Sequence, residues 1–357
     1  MPIFRKEVAM STDKQPVLIA GPCAAESREQ VLQTAAELSS ALANSGLQLS
    51  YFRTGVWKWR STPSSFGGAG KEALSWLQEV KAQYGFQPCV EVACAEHVEL
   101  CIEAGVTTLW IGSRTAVNPY LVQEIAEACQ GCPLTIMVKN PVIPDLKLWM
   151  GEIERFKKMD VRRVMAVHRG FADRSESVYR NAPCWEIPIE LKVRMPEIPL
   201  LCDPSHIAGD TKYIAQIAQI ALDYGYSGLM LESHCRPAEA LSDAKQQLRP
   251  DELVAMLQKL VFKTIASSPA ENALLKQRNL LENIDVQMAD LLAKRMQIVD
   301  AVADIKEKNN LPIVQPKQWG KVEKIYRKAA LEDANYEEFI TKFLELLHNA
   351  SIRRQQH

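Results

Sequence analysis

Eight short apolar runs, separated by stretches of helical periodicity, recur through roughly the first 260 residues of this 357-residue chain. Most runs are continuous rather than alternating, as is typical of parallel strands covered on both faces. This alternation predicts an α/β fold, a (β/α)8 TIM barrel. A doubly wound open sheet is the alternative, but no glycine-rich phosphate loop follows the first run. The runs begin at Val17, Leu49, Cys89, Thr107, Leu134, Arg163, Pro199 and Gly228.

The chain changes character after Phe262, which predicts a barrel over 1–262, a linker over 263–271 and a small all-α domain over 272–357. Apolar residues then repeat at helical spacing from Ser268 to Lys308. About 39 residues make a helix roughly 58 Å long. Such a helix cannot bury its apolar stripe within a domain of about 90 residues. The pattern therefore predicts at least a homodimer, built on long helices.

Composition excludes several classes of protein. The net charge of −1 gives no reason to expect nucleic-acid or membrane binding. No apolar run approaches the ~18 residues of a spanning helix, and the first residues lack the apolar core of a signal peptide. Nine cysteines without framework-like spacing indicate reduced thiols and a cytoplasmic protein.

In a barrel of this kind, functional groups gather at the carboxyl ends of the strands. One set found there offers sulfur, nitrogen and carboxylate oxygen, a mixture suited to a divalent metal. Taken singly, such residues have simpler explanations, such as a small buried cysteine or a histidine that hydrogen-bonds to a neighbour. They are grouped by their common position at the strand ends. The set is Cys23, His206, Glu232 and Asp243.

A second set at the strand ends is cationic. Arginine grips phosphate or carboxylate with a planar fork, and lysine supplies a mobile point charge. Six cations near one cleft of a nearly neutral chain indicate two anionic ligands. The alternative is that these side chains are solvent-exposed charges at the rim of the barrel. The set is Arg53, Lys58, Arg60, Arg114, Lys139 and Arg169.

Segments that carry these residues resemble 3-deoxy-D-arabino-heptulosonate 7-phosphate (DAHP) synthases of type I, in the subgroup related to 3-deoxy-octulosonate 8-phosphate synthase. They are "IAGPCAAES", "KWRSTPSSFGG", "IGSR", "VKNP", "VHRGF", "CDPSHIAG" and "ESH…ALSDAKQQL". The resemblance implies condensation of phosphoenolpyruvate with erythrose 4-phosphate, the first step of the shikimate pathway. It also implies a divalent metal, commonly Mn²⁺, with Fe²⁺, Co²⁺ or Zn²⁺ as alternatives.

The resemblance also assigns roles to individual residues. Cys23, His206, Glu232 and Asp243 become the metal ligands. Arg53, Lys58, Arg114, Lys139 and Arg169 bind phosphoenolpyruvate. Arg60, Ser61, Thr62 and Asp203 bind erythrose phosphate. The implied catalytic residues are Lys58, as a proton relay or a positioning group, and the ligands Cys23 and His206.

The chain departs from the family pattern at three positions. Trp59 stands where proline is usual, Asn140 where arginine is common, and His168 where glutamate is frequent. Relatives that use arabinose 5-phosphate usually have asparagine in place of Arg60. The arginine therefore favours the four-carbon sugar, and octulosonate synthesis is the alternative.

The C-terminal segment resembles the all-helical chorismate mutases, small domain-swapped dimers that convert chorismate to prephenate. The implied chorismate-binding residues are Arg278 from the partner chain, with Arg295, Lys306, Ser351 and Gln355. Gln318 and Trp319 replace the Arg and Glu of many relatives, which puts the contact to the chorismate hydroxyl in doubt. The alternatives are an inactive domain that regulates the barrel by binding a pathway acid such as prephenate, and a pure dimerisation hairpin.

Overall fold

The computed structural model describes residues 16–58, 66–172, 177–262, 268–329 and 334–356. The chain divides into two compact units, Met1–Thr264 and Ile265–His357. No helix among the described residues is long and apolar enough to cross a membrane. None of the nine cysteines, all of which lie in the described residues, forms a disulfide.

The first unit is a closed barrel of eight parallel strands in sequential order. The predicted fold is thereby confirmed, and each of the eight apolar runs forms a strand. The barrel closes between the last strand and the first, where Ile19 lies opposite Met230. The strands are β1 Val17–Gly21, β2 Tyr51–Thr54, β3 Pro88–Val92, β4 Thr108–Ile111, β5 Thr135–Lys139, β6 Arg163–His168, β7 Leu200–Cys202 and β8 Gly228–Glu232.

Helices follow the strands and cover the outside of the barrel. The first is capped by Ser27, whose Oγ accepts a hydrogen bond from the Gln30 amide at 3.1 Å. The barrel-unit helices are α1 Arg28–Leu42, α2 Glu72–Tyr84, α3 Ala95–Glu103, α4 Pro119–Ala128, α5 Leu146–Lys157, α6 Glu186–Arg194, α7 Pro204–Ala208, α8 Ile214–Asp223 and α9 Pro250–Leu257.

Two apolar layers hold the barrel together. The larger lies between strands and helices, and the smaller fills the barrel interior around Trp110. The guanidinium carbon of Arg53 lies 5.0 Å from the centre of the Trp110 ring, and Nζ of Lys139 lies 5.8 Å from it. The indole ring of Trp110 therefore makes cation–π contacts with two buried cations.

The second unit consists of three helices, α10 Ser268–Lys308, α11 Pro316–Ala329 and α12 Ala334–Arg354. The single helix of 41 residues confirms the long helix predicted from the apolar spacing. It begins at Ser268, inside the segment predicted as a linker, and the chain turns at Asn310, whose φ is +53°. Among the side chains described for this unit, few are buried, chiefly Ile340, Leu344 and Leu347.

Candidate active sites

The strand ends of the barrel surround an open cavity of about 230 Å³. Its lining is dominated by charged groups from strand ends, the loops that follow them and α7. Among them are Lys58, Glu91, Arg114, Lys139, Arg169, Arg180, His206 and Asp243. Four of the five cations expected to bind phosphoenolpyruvate thus face one space. The fifth, Arg53, is buried beside it.

Three of the expected metal ligands form a cluster, which we call the ligand cluster: Cys23, Glu232 and Asp243. One donor atom from each lies within 4.8 Å of the others. Sγ of Cys23 is 3.3 Å from Oδ2 of Asp243. Oε1 of Glu232 is buried and accepts no hydrogen bond from the described residues, and Nη2 of Arg53 lies 3.1 Å from it as an ion pair. A buried carboxylate oxygen beside a thiol and a second carboxylate fits a divalent cation, because these are donor types that such metals bind.

His206 lies outside this cluster of three but next to it. Its Nε2 is 3.7 Å from Oε1 of Glu232, and its Nδ1 is 2.8 Å from Oδ2 of Asp203. The contact to Asp203 fixes the orientation of the ring, as is common for histidines that bind metals. The residues present therefore fit a divalent metal held by sulfur, nitrogen and oxygen.

Asp203 is fully buried and engaged on both oxygens. Oδ2 contacts Nζ of Lys139 at 2.6 Å, and Oδ1 accepts a hydrogen bond from the His206 amide. Burial alone would raise the pKa of Asp203, but His206 and Lys139 hold it well below its usual range. The carboxylate thus joins a substrate-facing cation to an expected metal ligand. Its expected contact with erythrose phosphate stays a prediction.

Opposite charges also set the titration of the ligand cluster. Burial would raise the pKa of Glu232, but His206 and Arg53 lower it to about 2. Burial and the charge of Glu232 raise the pKa of the Cys23 thiol to about 12. The cluster therefore carries a permanent carboxylate charge at neutral pH.

Arg53 and Lys58 extend from β2 and the loop after it. Nη2 of Arg53 is 3.1 Å from Oε1 of Glu232, while Nε and Nη1 form no hydrogen bond with the described residues. Nζ of Lys58 is 2.6 Å from Sγ of Cys23. Two buried guanidinium nitrogens without hydrogen bonds are suited to an anionic ligand.

Arg169, at the end of β6, is held from two sides. Oδ1 of Asn181 accepts from its Nη1 at 2.7 Å, and Oδ1 of Asn140 accepts from its amide at 2.7 Å. Burial lowers its pKa to about 10, so it remains protonated at neutral pH. Arg60, Ser61 and Thr62 lie outside the described residues.

The helical unit has a cavity of about 580 Å³ between its helices. Four of the expected chorismate-binding residues line it: Arg295, Lys306, Ser351 and Gln355. They form two pairs that join α10 to the C-terminal end of α12 and the residue after it. Nη1 of Arg295 donates to Oγ of Ser351 at 2.8 Å, and Nζ of Lys306 donates to Oε1 of Gln355 at 2.9 Å.

The same cavity shows what replaces the usual Arg and Glu. Gln318 and Trp319 line it, and the Trp319 ring packs against that of His348 with centroids 4.0 Å apart. Arg278 is exposed on α10 and does not line this cavity. It lies about 25 Å from Arg295 along the helix axis at ~1.5 Å per residue.

Residues 1–266 match the family model of the DAHP synthetase I family. The chain belongs to the DAHP synthetase I family. Residues 277–356 match the model of chorismate mutase type II. The chain therefore combines a DAHP synthetase I barrel with a chorismate mutase domain.

Proteins similar to this chain include two kinds of aldolase. Phospho-2-dehydro-3-deoxyheptonate aldolase of Thermotoga maritima is 27% identical over 246 residues, covering 68% of this chain and 69% of that protein. A 2-dehydro-3-deoxyphosphooctonate aldolase of Azoarcus is 26% identical over 282 residues, covering 76% and 95%. The crystal structure of the Thermotoga maritima DAHP synthase matches with a TM-score of 0.59 at 26% identity, covering 68% of this chain and 67% of that one.

Two departures from the DAHP synthase pattern have structural explanations, and the third, Trp59, lies outside the described residues. Asn140 is fully buried and donates from Nδ2 to the carbonyls of Pro141 and Gly170, so it braces the backbone that carries Arg169. His168 is neutral because burial lowers its pKa to about 3. Its ring bonds to Tyr226 and to the carbonyl of Pro183.

Three residues of the synthase site escaped sequence reasoning. Nη1 of Arg180 lies 3.0 Å from Oδ1 of Asp243, and Gln246 and Gln247 also contact members of the ligand cluster. Arg180 lies within a loop, well beyond the end of β6. A search of the positions directly after each strand therefore does not include it. The two glutamines belong to the quoted "ALSDAKQQL", but an uncharged amide gives no signal of a role.

Proposed function

We propose that the barrel condenses phosphoenolpyruvate with erythrose 4-phosphate to give DAHP and inorganic phosphate, with one water consumed. The observation that carries this proposal is the meeting of the ligand cluster and a set of cations around one cavity. The cations suit a substrate that carries both a carboxylate and a phosphate. The ligand cluster suits a metal that would activate the aldehyde of the second substrate. Membership of the DAHP synthetase I family supports the same reaction.

Phosphoenolpyruvate would lie against the cations, with its carboxylate and phosphate at separate groups. The free guanidinium nitrogens of Arg53 and the braced guanidinium of Arg169 are preorganised for this task. Fixed cations stabilise charge that develops on C2 and on the departing phosphate without reorganising during the reaction. The proposed binding residues are Arg53, Lys58, Arg114, Lys139 and Arg169.

Cys23, His206, Glu232 and Asp243 would hold a divalent metal, which we propose is Mn²⁺. When bound, it would act as a Lewis acid towards the aldehyde of the sugar. The protein fixes that aldehyde next to C3 of the enol, so that the new carbon–carbon bond forms at a defined distance and angle.

Lys58 stands between the ligand cluster and the cavity. Burial would lower its pKa, but Cys23 and Glu232 raise it above the ordinary value. The side chain is therefore an ammonium at neutral pH, and its role is to position an anion or donate a proton rather than to accept one. Its contact with Sγ of Cys23 keeps this charge at the reacting centre.

The first experiment follows the loss of phosphoenolpyruvate with erythrose 4-phosphate or arabinose 5-phosphate, in chelator and then with added Mn²⁺. Activity restored by metal with the four-carbon sugar alone is the expected result. Activity only with arabinose phosphate would replace this proposal by octulosonate synthesis, which relatives such as the Azoarcus protein make the second candidate. Full activity in chelator would contradict the metal centre.

We infer that the helical unit rearranges chorismate to prephenate. Arg295 and Lys306 line one cavity with Ser351 and Gln355, which suits an acid with two carboxylates and an ether oxygen. The rearrangement is pericyclic, so it needs no nucleophile or base. It needs a cavity that selects the folded conformer and stabilises charge on the ether oxygen.

This second activity would require a dimer. Large apolar side chains remain exposed along α10, which a second copy of the chain would cover. They include Leu274, Leu280, Leu281, Ile284, Met288, Leu291, Ile298 and Ile305. Arg278 of the partner chain would then complete the chorismate site. Conversion of chorismate by the purified protein, with light scattering for its mass, tests both statements.

A further inference from the structure

Two consecutive glutamines are buried behind the ligand cluster. Gln246 and Gln247 follow Asp243 by three and four residues, at the end of a short 3-10 helix and just after it. Their exposed fractions are 1% and 2%. Buried amides must find partners for both a donor and an acceptor, so the contacts of these two side chains show what they hold.

Gln246 links the two carboxylates of the cluster. Its Nε2 donates to Oε2 of Glu232 at 2.7 Å, and its Oε1 accepts from Nη1 of Arg180 at 2.8 Å. The same Nη1 donates to Oδ1 of Asp243 at 3.0 Å. One oxygen of each carboxylate is thus engaged from behind. The other oxygens are Oε1 of Glu232 and Oδ2 of Asp243, and the latter faces Sγ of Cys23.

Gln247 ties the remaining member to the same loop. Its Oε1 accepts from the amide of Cys23 at 2.9 Å, and its Nε2 donates to the carbonyl of Ser242 at 2.8 Å. The backbone at Cys23, just after β1, is thereby linked to the residue before Asp243. Asp243 itself takes a left-handed conformation, with φ +48° and ψ +37°, that such outside contacts help to maintain.

We infer that Gln246 and Gln247 are positioning residues that aim the three members of the ligand cluster at one point. An amide suits the place of Gln246 because it donates to a carboxylate at one end and accepts from a guanidinium at the other. A carboxylate there would repel Glu232, and an ammonium could not accept from Arg180. Groups that orient metal ligands from behind commonly change metal affinity by ~10–100-fold when they are removed. This inference rests on the proposed metal centre.

The test is metal binding by the full chain, measured without substrates. Protein stripped with a chelator is titrated with Co²⁺, and the thiolate-to-cobalt absorption band reports coordination by Cys23. Gln246→Met and Gln247→Met keep the size of the side chain and remove both hydrogen bonds. We expect the Kd for Co²⁺ to rise by roughly 10–100-fold in each.

Gln30→Met is the matched control, because Gln30 is also a buried glutamine, 4% exposed, whose Oε1 accepts from the amide of Glu26. We expect its Kd to stay near that of the wild type. An equal rise in this control would show a general packing effect and overturn the inference. Unchanged Kd values in both test variants would overturn it too.

Folding of each metal-free variant is checked by circular dichroism and thermal unfolding. If Gln246→Met fails to fold, Gln246→Asn retains the amide but is one methylene too short to span the two partners, and the same rise in Kd is expected. A wild-type protein that gives no thiolate-to-cobalt band would overturn the metal centre itself, and this inference with it. That outcome differs from a normal wild-type band with unaffected variants.

Discussion

Gly55 shows how one absent methyl group shapes the synthase site. A Cβ at this position would lie 2.6 Å from Cε of Lys58 and 2.7 Å from the carbonyl oxygen of Cys23. Such contacts are too close, so the Lys58 side chain or the backbone at Cys23, just after β1, would have to move. The glycine therefore allows Nζ of Lys58 to reach Sγ of Cys23.

Gly55→Ala is expected to lower kcat/KM of the synthase by about 10²-fold, because displacing a reacting group by about 1 Å has effects of this size. Steady-state kinetics of the full chain measures it, with chorismate mutase activity of the same sample as an internal standard. Gly151→Ala, in α5, is the matched control, since a Cβ there meets nothing within 4 Å. Normal synthase activity in Gly55→Ala would contradict the proposed place of Lys58.

Arg295 is the residue on which the second activity depends most directly. Arg295→Ala should lower mutase turnover on the order of 10²-fold or more, because it removes a fixed cation from a carboxylate or from developing charge. Synthase activity should be unchanged. The measurement is the rate of chorismate loss at saturating substrate.

Arg354→Ala provides the control for Arg295. Nη2 of Arg354 bonds to Asp300 at 2.9 Å, so this pair also joins α12 to α10, but it is half exposed and does not line the cavity. Exposed pairs contribute little to stability. Full mutase activity in Arg295→Ala would leave the helical unit with a regulatory or dimerisation role.

At the scale of single elements, α5 carries a buried acid that neither proposed reaction uses. Glu152 is 1% exposed, and neither carboxylate oxygen accepts a hydrogen bond from the described residues. Nε of Arg155 lies 3.6 Å away. Burial raises the pKa of Glu152 to about 7, against an ordinary value of 4.5.

This pKa predicts how stability depends on pH. Because the folded state binds the proton more tightly than the unfolded state, the contribution of Glu152 becomes less favourable as pH rises from 4.5 to 7 and stays so above. Glu152→Gln should therefore stabilise the barrel by about 1–3 kcal/mol at pH 8 and by little near pH 4.5. Denaturant unfolding at both values measures this. Glu154→Gln, exposed on the same helix, should show no such difference.

The elements were predictable from the sequence where one periodicity dominates. Continuous apolar runs predicted all eight strands, and unbroken helical spacing predicted α10. Strand-end logic also led to Cys23 and Glu232, because parallel strands bring their carboxyl ends to one rim. Arg180 and Gln246 were not predictable this way. They lie in loops whose paths depend on tertiary packing, and only the folded chain brings them to the ligand cluster.

At the scale of the whole molecule, the two units differ in how far they bury their apolar side chains. The barrel encloses its own core in two layers. The helical unit leaves apolar residues exposed along α10. If it forms the proposed dimer, its stability and its chorismate site would both depend on association. A site shared between two chains can be tested by mixing two inactive variants, because only a mixed dimer could then contain an intact site.

Arg278→Ala and Arg295→Ala, each tested alone, should lower mutase activity on the order of 10²-fold or more, since each would remove one cation from every site. In a mixed dimer, one site would combine intact Arg295 of one chain with intact Arg278 of its partner, while the other site would lack both. Random reassembly of equal amounts gives half mixed dimers, so about a quarter of the wild-type activity should return. The measurement is chorismate loss after joint refolding or coexpression.

The control mixes Arg295→Ala with a second chain carrying Arg295→Ala and Arg354→Ala, which cannot form an intact site in any pairing. Its activity should stay at background. Recovery in the first mixture alone would require that two chains contribute to one chorismate site, because neither variant contains both arginines. No recovery, despite mixed dimers detected by mass, would mean that Arg278 of the partner is not part of the site. The detected dimer would still cover the exposed apolar residues of α10, but in a pairing that does not bring the two arginines together.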